Sequence, residues 1–149
     1  MRLKQRTLAL LLPAALCAIA IAPRAFAITK GPGTDSALPA ETTQGHVRYV
    51  SGGIGHDQAQ AFERAQHRYP LSLEFVRKSK PHNEFTANAK VVIRDASGKI
   101  ALDTVAQGPF LLAKLPSGRY DIQATLDGRT IERHASIVKG KSDHVDFRW

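Results

Sequence analysis

The segment LPSGRYDIQATLDG, residues 115–128, constrains the fold more than any other stretch of the chain. Tyr120, Ile122, Ala124 and Leu126 fall at every second position, with Asp121, Gln123 and Thr125 between them. Side chains alternate across a strand, so this spacing predicts one buried and one solvated face. Pro116 and Gly118 break the chain ahead of the run. Asp127-Gly128 closes it with the dipeptide of a two-residue hairpin. A strand with one apolar face and a tight turn at each end needs a second layer to cover that face.

The same period of two recurs on both sides. Leu71, Leu73 and Phe75 alternate with Ser72, Glu74 and Val76, and Ala89, Val91 and Ile93 also fall at every second position. Further strands are expected at Ile100 and Leu102, at 110–115, at 131–138, and over Val145, Phe147 and Trp149. Seven short strands at regular spacing with turn signals between them predict a mainly β chain folded as a β-sandwich. One segment has helical spacing instead. Ala59, Phe62, Ala65 and Tyr69 share a face, Asp57 and Gln60 have capping-box spacing, and Pro70 stops the run. The expectation is a helix over 58–68, covering one end or edge of the sandwich.

The first 27 residues read as an address. Arg2, Lys4 and Arg6 precede an apolar run over 8–22, and Ala25-Phe26-Ala27 offers small residues for cleavage after Ala27. The run is shorter than the ~20 residues a span requires, so a cleaved signal peptide and a periplasmic location are expected, with no stable membrane span afterwards. Arg2, Lys4, Arg6 and Arg24 leave with the signal, and half of the formal charge of +8 goes with them. The remaining basic residues are scattered, densest at Arg64, Arg68, Arg77, Lys78 and Lys80, which argues against a nucleic-acid partner and for weak attraction to anionic envelope polymers. Cys17, the only cysteine, lies inside the signal; disulfides and thiolate chemistry are therefore not expected. Residues 28–46 are rich in Gly, Pro, Ser and Thr and read as a flexible leader to a domain over 47–149.

Two segments carry a resemblance to a known family. ANAKVVIRDASGK, residues 87–99, resembles the opening strand and Asp-x-x-Gly-Lys turn of the carboxypeptidase regulatory-like domain, a transthyretin-like (prealbumin-like) sandwich. GPFLLAKLPSGRYDIQATLDG, residues 108–128, is similar to its Gly-x-Phe, Leu-Pro-x-Gly-x-Tyr and terminal Gly signature, and the last strand ends the domain as in that family. The helix and strand before it, GGIGHDQAQAFERAQHRYPLSLEF, resemble small exported proteobacterial proteins that carry this domain. The resemblance implies a structural or interaction module, with the Tyr120 ring in the core and its hydroxyl on a backbone partner. One transthyretin-like branch hydrolyses hydroxyisourate and ends in Tyr-Arg-Gly-Ser. This chain ends Asp146-Phe147-Arg148-Trp149, so that activity is not expected.

Few residues suggest chemistry. The Asp127-Gly128 turn sets Asp121 opposite His134; if Lys139-Gly140-Lys141 is a hairpin loop, Asp146 faces His134 from the other side, with His144 one step away. Asp121, His134, His144 and Asp146 are thus candidate metal ligands, or a base oriented by a carboxylate. Cross-strand charge pairing, worth roughly 0.2–1 kcal/mol a pair, accounts for them without a ligand, so neither metal nor cofactor is expected. Gly52-Gly53-Ile54-Gly55 lacks the lysine of a phosphate loop and reads as a chain reversal. No Gly-x-Ser-x-Gly elbow occurs. Val145, Phe147 and Trp149 have the alternation of an outer-membrane barrel terminus. The polar strand faces point instead to a sandwich edge strand with Trp149 over the core. The expected role is a non-catalytic interaction or accessory module of the envelope whose partner is another envelope protein or a glycan polymer. Metal or small-ligand binding near His134 is the alternative, and hydrolysis a remoter one.

Overall fold

A computed structural model describes residues 38–149; the expected signal peptide and most of the expected leader lie outside them. The chain is mainly β and forms two sheets. Its strands are β1 (Thr42–Gln44), β2 (Val47–Gly52), β3 (Leu71–Arg77), β4 (Glu84–Phe85), β5 (Lys90–Asp95), β6 (Ile100–Val105), β7 (Phe110–Lys114), β8 (Gly118–Leu126), β9 (Arg129–Ile137) and β10 (Asp143–Arg148). Helix α1 (His56–Ala65) lies between β2 and β3 and ends in a 3-10 turn, Gln66–Arg68. No helix among the described residues is long and apolar enough to cross a membrane.

Sheet A has the order β1-β2-β7-β3-β10, with the two-residue β4 also on β3; sheet B has the order β6-β5-β8-β9. Every pairing is antiparallel except β3 with β10, which run parallel. The inner faces meet in one core that includes Leu73, Phe75, Val91, Ile93, Ile122 and Phe147. The opening alternation holds in full: Tyr120, Ile122, Ala124 and Leu126 are buried, while Asp121, Gln123 and Thr125 face outward. Asp127 and Gly128 both have positive φ, as a type I′ turn requires. The Tyr120 hydroxyl donates to the Pro116 carbonyl at 3.0 Å. Trp149, just past edge strand β10, is buried, stacks with Phe147, and donates its indole N–H to the Arg129 carbonyl at 2.9 Å.

Among the described residues ten strands stand where seven were expected. The three additional ones carry weak signals. β1 (TTQ) is wholly exposed, β4 is two residues long, and β2 buries residues on both faces, so no clean alternation marks it. Residues 42–44, assigned from sequence to the leader, are also tied across the sandwich. The Gln44 side-chain amide accepts from the Asp103 N–H at 2.8 Å and donates to the Asp103 carbonyl at 3.1 Å, occupying the free edge of β6.

The helix covers the outer face of sheet A rather than an end or edge. β7 reads Phe-Leu-Leu-Ala, a continuous apolar run, because it is buried on both sides. Leu111 and Ala113 face the inter-sheet core, while Phe110 and Leu112 pack with Val50, Phe62, Ala65 and Tyr69 under the helix. The Phe62 and Phe110 rings stack at 5.7 Å. Two glycines make this approach feasible: a Cβ on Gly53 would collide with the Phe110 ring, and one on Gly108 with the Gly52 backbone. The expected capping box is absent. Gly55 is the N-cap, and Gln58 reaches back to accept from the N–H groups of Gly53 and Ile54 at 2.8 and 3.0 Å.

Candidate functional site

One end of the sandwich is basic. β3 ends in Arg77, followed by Lys78; the β8–β9 turn presents Arg129; β10 ends in Arg148. These four side chains line an open cleft of about 540 Å³ with Trp149 and Asp127. Arg77 pairs with Asp127, and Arg148 Nη2 lies 2.8 Å from Asp146 Oδ2. Lys78 and Arg129 have no such carboxylate partner among the described residues. Three separate elements thus bring four cations together, of which the sequence grouped only Arg77 and Lys78. The opposite end, around Val47, Leu115 and Tyr120, has a smaller and largely apolar hollow of about 300 Å³.

The four sequence-derived candidates divide into two pairs. Asp121 faces His134 in the β8–β9 register, as the turn predicts, and His134 Nδ1 lies 2.7 Å from Asp121 Oδ1. Both are strongly exposed, at 82% and 66% of their side-chain surface. Gln123 with Glu132 and Thr125 with Thr130 continue the same outward ladder. His144 and Asp146 do not join it. The 139–141 segment is a crossover rather than a hairpin loop, and β10 leaves sheet B to pair with β3 in sheet A. Asp146 therefore never faces His134.

The crossover creates a cluster the sequence reading did not contain. In the β3–β10 register Ser72 stands beside His144 and Glu74 beside Asp146, all on the outer face of sheet A. His144 Nε2 lies 2.7 Å from Asp146 Oδ1 and 3.7 Å from Glu74 Oε2. His144 Nδ1 is 3.2 Å from the hydroxyl of Ser72, which is fully buried. Burial, and then the neighbouring charge of Asp146, push the Glu74 carboxyl above its ordinary range, with His144 pulling the other way. Glu74 and Ser72 were visible only as the polar half of an alternating strand. Their neighbour across the sheet lies some 70 residues away, and nothing in the spacing names it.

A comparison with protein-family models finds no match, and one with curated protein sequences finds none. Among solved structures, the chain is similar to the Bacillus anthracis TIE protein at 15% identity and a TM-score of 0.40, over 53% of this chain and 16% of that one.

Proposed function

We propose that this is a non-catalytic interaction module of the cell envelope, exported to the periplasm, which holds an anionic glycan polymer against its basic end. The observation that carries this reading is the convergence of Arg77, Lys78, Arg129 and Arg148 on one open cleft. Two of the four cations are left without a carboxylate partner among the described residues. An open, cation-lined groove suits a chain of carboxylate or phosphate groups, which is drawn in by field and held by several weak contacts. A fold of the carboxypeptidase regulatory-like, transthyretin-like class is part of the proposal. Its support is the Tyr120 hydroxyl on Pro116, the Asp95–Lys99 turn, and seven strands after the helix once the two-residue β4 is set aside.

The test is binding of the exported protein to lipopolysaccharide and to peptidoglycan sacculi, with a neutral glucan as control. Binding should weaken steeply between low and physiological salt. Lys78→Ala with Arg129→Ala should weaken it at least tenfold while the fold is retained. Salt-independent binding, or equal binding by the double variant, would rule the basic end out. Retention of an envelope protein in place of either polymer would reassign the partner.

A further inference from the structure

The β3–β10 cluster presents two carboxylates, Glu74 and Asp146, at register-partner positions on one sheet face, where like charges repel. A cation between them would answer that repulsion, and the His144 ring is placed beside both carboxylates. Its Nδ1 is beside the buried Ser72 hydroxyl, so a proton on Nδ1 leaves the Nε2 lone pair directed at the two carboxylates. Asp146 Oδ1 is shielded from solvent and accepts no hydrogen bond, although Nε2 is only 2.7 Å away; the two atoms are close but not aligned. One ring nitrogen and two carboxylate oxygens thus lie mutually within 4.8 Å.

We propose that Glu74, His144 and Asp146 bind a divalent transition-metal ion of the zinc class. An imidazole donor disfavours magnesium and calcium, which take oxygen ligands, and suits zinc. Ligand bonds of about 2.0–2.2 Å in a tetrahedron place donor atoms roughly 3.3 Å apart. The present separations of 2.7 and 3.7 Å from Nε2 bracket that value, so the ion requires only small side-chain shifts. Ser72 on Nδ1 and Arg148 on Asp146 Oδ2 supply the outer contacts that hold ligands in place. The open sheet face leaves the remaining coordination to water. Asp121 and His134 lack a third ligand and any burial, so the site is specific to β3 and β10.

The full chain, purified after export and treated with chelator, is titrated with zinc alone by calorimetry and with cobalt(II) by visible absorption. One equivalent should bind, raise the melting temperature, and give a tetrahedral cobalt spectrum. His144→Ala should lower the affinity more than the roughly 10–100-fold typical of losing an outer contact. Asp146→Asn should lower it at least tenfold, and His134→Ala should leave it unchanged. Imidazole NMR signals of the unaltered protein give a second readout independent of any variant. Zinc should move the His144 ring nitrogens and leave those of His134 in place. No binding, unchanged binding in His144→Ala, or a zinc response at another histidine would overturn the proposal.

Discussion

The two sheets carry the same chemical pair on their outer faces, and the pairs are not equivalent. Asp121 and His134 on sheet B sit in water at the middle of a polar ladder. On sheet A, Asp146 and the added Glu74 are partly buried, and the fully buried Ser72 lies behind His144, whose own ring stays exposed. The sequence makes both pairs look alike, each a histidine near an aspartate on an alternating strand. The difference lies in what covers each sheet. Sheet A is apolar on both sides over β2 and β7, so it draws α1 onto its outer face, and Phe110, packed under that helix, is the register neighbour of Glu74. Sheet B has Val92 and Val105 among the polar residues of its outer face, too little apolar surface to recruit a cover, and its charges stay solvated. Desolvation makes the environment of one pair selective and leaves the other a surface contact.

The contrast can be broken most severely at its cause. Phe110→Ala removes the ring that anchors α1 and should cost about 3–5 kcal/mol in chemical unfolding. The same truncation should also erase the raised Glu74 carboxyl as the outer face floods. Loss of stability below 1 kcal/mol would mean that the helix does not depend on this contact. A smaller effect is expected from Tyr120→Phe, which deletes one buried hydroxyl bond to Pro116 at the apolar end; about 1 kcal/mol should be lost, with the basic-end cleft undisturbed.

Glu74→Gln sharpens the comparison through pH. Because the folded carboxyl is raised above 4.5, its favourable contribution is complete below that value and is lost as pH rises through the folded value. In chelator, the variant should therefore be more stable than the parent at neutral pH, the gap narrowing as pH falls through the raised folded value and reaching its minimum below 4.5. A gap that widens in acid would reverse the assignment. The smallest change belongs to the solvated pair. His134→Ala should shift stability by about 0–1 kcal/mol, falling further in high salt. A larger loss there would mean that the sheet B ladder is more than surface pairing.

Much of the architecture was legible from particular residues. The 115–128 run announced its buried face, its turn and the Asp121–His134 register, because the alternation and the dipeptide act over a few residues. The helical face of Phe62, Ala65 and Tyr69 was equally local. The all-apolar run at 110–113 was a signal for burial on two faces that went unread, and with it the position of the helix. The break at 139–141 looked like a hairpin because Lys-Gly-Lys reverses a chain whether or not the next strand returns to the same sheet.

Sequence alone determined the mainly β class, the long alternating strands, the helix before β3 and the inward placement of Tyr120, Ile122 and Trp149. Each follows from periodicity and turn chemistry within a short window. Only the tertiary structure decided that β10 crosses to run parallel with β3, that α1 lies over sheet A, and that Arg77, Arg129 and Arg148 share a cleft. These are choices between distant partners. They are settled by which apolar faces can be covered at once, and no local spacing encodes that.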